Sequence, residues 1–151
     1  MKFRKASLID LSRLNEISLS SKRYWGYPEK WIEHWADDLT ITEKHLHDQK
    51  IIVLELESLV IGYCSIADQG NHYEVMHLWV IPEYIGNGYG KALLMEALHN
   101  YIVVNKPILV TADPNSEAFY QKQGFVTFQK VESFPPGRFL PLMKMKSYFH
   151  H

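Results

Sequence analysis

Val80-Ile81-Pro82-Glu83-Tyr84-Ile85-Gly86-Asn87-Gly88-Tyr89-Gly90-Lys91-Ala92-Leu93-Leu94 is the stretch on which the reading of this chain turns. An apolar strand runs into a proline, glycines follow at every second position, and the spacing of Ala92, Leu93, Ala97 and Leu98 marks a helix. Gly86, Gly88 and Gly90 carry no Cβ that would hold a ligand away from the backbone, and glycine takes the positive φ of a tight turn freely. The first N–H groups of the helix lack intrahelical acceptors and lie at the positive end of its dipole, so the loop favours an anion such as a phosphate. Two phosphate loops do not fit. The dinucleotide fingerprint needs G-x-G-x-x-G and an acid closing the next strand, whereas these glycines fall as G-x-G-x-G and no such acid follows Val110. The nucleoside-triphosphate loop needs Ser or Thr after its lysine, and Lys91 is followed by Ala92.

A second motif lies downstream, Asp113-Pro114-Asn115-Ser116-Glu117-Ala118-Phe119-Tyr120-Gln121-Lys122-Gln123-Gly124-Phe125. Together the two stretches resemble the GNAT family of N-acetyltransferases. The loop is similar to V-x-P-x-[YFW]-[QR]-x-x-G-x-[GA] at Val80, Pro82, Tyr84, Gly88 and Gly90, with Ile85 standing where the family has Gln or Arg. The second stretch is similar to the family's N-x-x-A, F-Y and x-x-x-G-F segment at Asn115, Ala118, Phe119, Tyr120, Gly124 and Phe125, with Phe119 directly after Ala118. The resemblance implies an α/β fold, a central mostly antiparallel sheet flanked by helices, in a single domain spanning 1–151. It also implies acetyl-CoA as co-substrate and a primary amine as acceptor. By the same resemblance Ile85, Gly86, Asn87, Gly88, Tyr89, Gly90 and Lys91 cradle the cofactor's pyrophosphate, and Leu78 and Val80 offer backbone groups to its pantetheine arm. Asn115 contacts that arm, and Tyr120 donates a proton or a hydrogen bond to the departing sulfur.

An amine near the pKa of lysine is neutral in only about one molecule in a few thousand at pH 7, so a base is useful. Glu74, six residues before Val80, stands where the family carries a strand glutamate in that role. His77 is the rival. Strict alternation along Glu74–Val80 places Glu74, Met76, Leu78 and Val80 on one face and Val75, His77 and Trp79 on the other, which separates the two candidates.

The other segments read as ordinary elements. Lys2 to Lys5 is a short strand, Ser7 with Asp10 is a helix start, and Leu11, Leu14 and Ile17 mark that helix's buried face. Pro28 opens a second helix, on which Trp31 and Trp35 face the core. Tyr24 and Trp25 lie in the connection, and because the family's first helices border the acceptor pocket, they are expected to shape it. The aromatic density from Tyr24 to Trp35 suits an apolar or cationic acceptor. A hairpin turns at Glu57-Ser58, and Pro135-Pro136-Gly137 separates two closing strands.

Composition narrows the classes. Sixteen Lys and Arg against seventeen Asp and Glu give a net charge of -1 without a basic stripe, which argues against nucleic acid. Cys64 is the only cysteine, so no intrachain disulfide forms, and it reads as a small core residue rather than a nucleophile. No run is apolar enough for a signal peptide or a membrane span, so a cytoplasmic protein is expected. No metal is expected, and dimers are common in the resembling family. The acceptor stays open among polyamine, amino acid, antibiotic and protein amine. A non-catalytic acyl-CoA sensor is the alternative, and His150-His151 is assigned no role.

Overall fold

The computed structural model describes residues 1–146 and 148, so His150-His151 lies outside the described residues. Strands β1 (Lys2–Lys5), β2 (Lys50–Leu56), β3 (Leu59–Asp68), β4 (Tyr73–Val80), β5 (Ile108–Thr111), β6 (Val126–Ser133) and β7 (Arg138–Met145) form one sheet in the order β1-β2-β3-β4-β5-β7-β6. The helices are α1 (Leu11–Tyr24), α2 (Glu29–Leu39), α3 (Glu43–Asp48), α4 (Tyr89–Tyr101) and α5 (Glu117–Lys122). Neighbouring strands are antiparallel except β4 and β5, which run parallel across the α4 crossover.

The β2–β3 hairpin turns through Glu57 and Ser58 at φ of 50° and 68°, the mirror-image turn whose twist matches the strands it joins. Eight consecutive residues of β3, Val60 to Ala67, are buried because both faces are covered. The Ser18 hydroxyl of α1 shares a hydrogen bond with Tyr63 on one face. Leu93 of α4 packs over Gly62 on the other.

Two irregularities in β4 set the geometry on either side of it. Its pairing with β5 covers only Tyr73/Ile108, Glu74/Leu109 and Val75/Val110, after which β4 continues to Val80 and the strands part. Against β3, the register jumps from Ser65/His77 to Ile66/Val75, leaving Met76 as an extra residue. Directly opposed residues share a face, so Ser65 and Ala67 fix His77 and Glu74 on one side, while Cys64 and Ile66 fix Leu78 and Val75 on the other. The simple alternation expected along β4 is therefore wrong. The bulge brings Glu74 onto the α1 side of the sheet together with His77.

The expected helices form with small shifts. Asp10 accepts from the Ser7 N–H at 2.8 Å and is held by both Arg4 terminal nitrogens, and one 3-10 turn (Leu8–Asp10) precedes α1. On α2, Trp35 is buried with Ile32 and Leu39, but Trp31 is only half-buried, lying against Tyr27 at the edge of this second cluster.

Gly62 marks the tightest approach between layers. A Cβ there would lie 2.6 Å from the Trp79 carbonyl oxygen and 2.9 Å from Leu93 Cδ1. Gly62→Ala is expected to destabilise the fold by about 2 kcal/mol, the scale of a core overpacking. Urea denaturation reads this directly, and an unchanged midpoint would contradict so close a packing of β4 and α4 on β3.

Candidate functional site

The parting of β4 from β5 leaves a notch whose wall is bare backbone. Ile81 N–H donates to the Ile61 carbonyl at 2.8 Å, which sets the phase of the β3–β4 ladder. Hydrogen-bonded and outward-facing residues alternate in an antiparallel pair. Trp79 and Ile81 therefore face β3, while Leu78 and Val80 turn their N–H and C=O groups into the notch. The Ser21 hydroxyl donates to the Val80 carbonyl at 3.0 Å. Around this edge lies a cavity of about 200 Å³, walled by Leu78, Trp79 and Val80, by Phe119 and Tyr120 of α5, and by Trp25 at the end of α1.

A second hollow of about 330 Å³ continues from the first, sharing Val80, Ile85, Gly90 and Phe119 with it. Its other walls are Tyr84, Gly86, Gly88, Lys91 and Gln123. Gly86 and Gly88 have φ of 88° and 84°, and left-handed Gly88 caps α4 so that the helix's first N–H groups open toward the loop. Asn87 and Tyr89 spend their side chains within the loop: Asn87 Nδ2 donates to the Tyr84 carbonyl at 3.2 Å, and the Tyr89 ring packs edge-on against Tyr84.

Tyr120 is buried between Phe119 and Phe125, with its ring edge-on to both. Burial drives its pKa far up, so the phenol stays protonated and can donate. The Asn115 amide is committed to the Tyr27 hydroxyl at 3.0 Å and to Asp113 Oδ1 at 2.9 Å, leaving its carbonyl oxygen as the group that can serve the cavity.

Behind Asn115 lies a buried polar cluster. Asp113 accepts from Lys22 Nζ at 2.6 Å, from the Tyr27 hydroxyl at 3.0 Å and from the Asn115 N–H at 2.8 Å, and Arg138 Nη2 approaches it at 3.4 Å. Burial alone would raise the Asp113 carboxyl, but Lys22 and these donors hold it below the ordinary carboxylate range. Burial pulls the Lys22 ammonium down against the attraction of Asp113. Adjacent α1 residues thus grip both lips of the notch, Ser21 on β4 and Lys22 on the segment after β5.

The candidate bases differ sharply. His77 accepts from Trp79 Nε1 at 3.2 Å, and burial lowers its pKa to about 4, so it is neutral at pH 7 and weakly basic. Glu74 is half-buried, contacted by Gln69 Nε2 at 3.4 Å and His72 Nε2 at 3.9 Å, and it lines neither hollow. Trp25 lines the cavity, whereas Tyr24 is 52% exposed and touches it only through its edge-on contact with Trp25. Cys64 is buried and its thiol is pushed far up by burial, in keeping with a core role. Among the described residues, no group of three potential metal ligands occurs, and no helix is long and apolar enough to cross a membrane.

Ser21, Lys22, Tyr27, Asp113, Phe119 and Arg138 were not singled out as site residues from sequence. A signal existed for two of them. Leu14, Ile17, Ser18, Ser21 and Lys22 are buried on α1 at spacings of three, one, three and one, so the polar end continues an apolar stripe.

The family model described as an acetyltransferase (GNAT) domain matches residues 47–127. The spermidine N(1)-acetyltransferase of Thermoplasma acidophilum is 32% identical over 97% of this chain and 99% of its own length. Among solved structures, the PaiA N-acetyltransferase of Thermoplasma acidophilum in complex with coenzyme A superposes with a TM-score of 0.78 at 26% identity, covering 96% of this chain and 98% of the other. A GNAT protein from Rhodopseudomonas palustris shares the fold with a TM-score of 0.76 at 23% identity, over 96% and 94% of the two chains.

Removing Lys22 tests the grip on the notch. Lys22→Met leaves Asp113 its neutral donors and Arg138 but strips its closest cation, and is expected to cost about 3 kcal/mol, the low end for a broken buried pair. The carboxylate's own contribution is full above about pH 4 and is lost as pH falls through the lowered value. Thermal melts from pH 7 to pH 3 should therefore show less acid-linked loss in the variant. Identical stability and pH dependence would show the pair to be idle.

Proposed function

The chain belongs to the GNAT family of acetyltransferases, and from that premise we propose that residues 1–151 act as one catalytic domain that moves the acetyl group of acetyl-CoA to a primary amine by direct attack in a ternary complex. The observation that carries this reading is the continuity of the two hollows, one an anion-favouring loop at a helix N-terminus and the other a bare strand edge. A phosphate-bearing, amide-bearing chain matches both.

Acetyl-CoA supplies the acetyl thioester; the protein's own groups do the rest. The first N–H groups of α4 and the Lys91 ammonium face the pyrophosphate, and Lys91 provides the positive charge that Ile85 lacks. The Leu78 N–H donates to the thioester carbonyl and stabilises the oxyanion as it develops, often the largest catalytic contribution. Glu74, on the α1 face because of the Met76 bulge, takes the amine's proton through water, since on the order of 10 Å of strand separates it from Leu78. Neutral His77 orients by accepting from Trp79 rather than by taking protons. As the C–N bond forms and the C–S bond breaks, the Tyr120 phenol donates a hydrogen bond to the departing thiolate and keeps its own proton, and the thiolate then takes one from solvent. Trp25, backed by Tyr24, borders the acceptor's approach.

Thiol release from acetyl-CoA across a panel of amines tests the assignment. Amine-dependent release is expected, and Tyr120→Phe should lower kcat by about a hundredfold while leaving the KM for acetyl-CoA nearly unchanged. An unchanged kcat would remove Tyr120 from the chemistry. Acetyl-CoA binding without release for any amine would mark a sensor module instead.

A further inference from the structure

We propose that the acceptor carries a carboxylate beside its amine, and that Arg138 is the residue that recognises it. This rests on the transferase reading and adds the acceptor's chemical class.

The argument begins with a charge count. Lys22, Arg138 and Asp113 are buried together, with side-chain exposures of 11%, 12% and 9%. Two cations share one carboxylate, and buried charge without a full complement of partners is costly. Asp113 is already heavily subscribed, accepting from Lys22, Tyr27 and both nitrogens of Asn115 at 2.6–3.0 Å, and Arg138 reaches it only at 3.4 Å. The surplus positive charge therefore falls on Arg138.

Arg138 also has donors to spare. Its Nη2 donates to the Tyr27 hydroxyl at 3.0 Å, while its Nε and Nη1 have no hydrogen bond among the described residues. Each of these two N–H groups can donate singly to a carboxylate, a charge-assisted hydrogen bond, while Nη2, shared by both bidentate edges of the guanidinium, is already engaged. The Trp35 ring carries the guanidinium, with Arg138 Cζ 4.7 Å from its centroid.

Two of the rings expected to attract a cationic acceptor, Tyr27 and Trp35, are already taken. Lys22 sits over Tyr27 and Trp35 at 5.0 and 4.5 Å, and Arg138 sits over the same rings at 5.0 and 4.7 Å. A polyamine approaching these two rings meets like charge instead of free ring faces. The cluster connects to the cavity through Asn115, which lines it and donates to the Tyr27 hydroxyl that also binds Arg138.

The test compares free amino acids with their C-terminal amides, alongside spermidine and a phosphate-bearing primary amine. The free acids are expected to exceed their amides at least tenfold in kcat/KM, the scale of one charged hydrogen bond. Arg138→Gln should erase that preference by raising the acceptor KM, with the KM for acetyl-CoA unchanged, and Arg138→Lys should retain part of it. A melting curve for each variant shows that it is folded. Equal use of acid and amide, a preference for spermidine or the phosphate amine, or a preference that survives in Arg138→Gln would overturn the proposal. Calorimetry with an N-acetylated amino acid and coenzyme A reads the same site without turnover. Binding that Arg138→Gln abolishes upholds the carboxylate site even if the transferase reading fails, and no binding to the wild type overturns it.

Discussion

A strand edge inside a sheet cannot be left without hydrogen-bond partners, and in this protein one is. β4 runs five residues beyond its last pairing with β5, so the outward groups of Leu78 and Val80 face a notch rather than a neighbour. The exposed backbone polar groups of an interior edge must be met by water, by side chains or by a ligand. One is met by Ser21, and the notch continues into a loop whose helix N-terminus favours an anion. A cofactor that is a phosphate at one end and an amide-bearing chain along its arm would complete the interrupted sheet, as proposed above.

The remaining architecture keeps that interruption at a fixed width. α1 spans it with adjacent residues, while the Tyr27 hydroxyl and Arg138 tie the α1–α2 connection and the β6–β7 hairpin to the same aspartate. The polar groups that position the site are thus buried and mutually satisfied except for the guanidinium. The energetic weight of the cluster falls where the acceptor is expected to enter. The bulge at Met76 does related work on the opposite wall, turning Glu74 toward α1 while leaving Leu78 and Val80 packed toward α4.

Much of this was legible in the sequence because it is local. The proline, the spaced glycines and the apolar helix after them lie within fifteen residues, and their conformation is dictated by sterics and helix capping rather than by distant contacts. The Asp113–Phe125 segment is equally local, and its Tyr120 lines the cavity. What stayed hidden depends on separation or on register. Lys22 and Asp113 lie 91 residues apart and Tyr27 and Arg138 lie 111 apart, so nothing in either neighbourhood announces the pairing. The bulge carries no glycine or proline as a marker, and one extra residue was enough to reverse the side assigned to Glu74. The aromatic run from Tyr24 to Trp35 was visible, but not that two of its rings would be covered by the protein's own cations.

The central claim is that coenzyme A pairs with the free edge of β4. Amide hydrogen exchange resolved by residue, with and without coenzyme A, tests it most directly. The account predicts new protection at Leu78 and Val80 together with the first N–H groups of α4, and little change at Trp79, which already bonds to β3. Protection confined to the glycine loop, or spread evenly over Leu78, Trp79 and Val80, would contradict it.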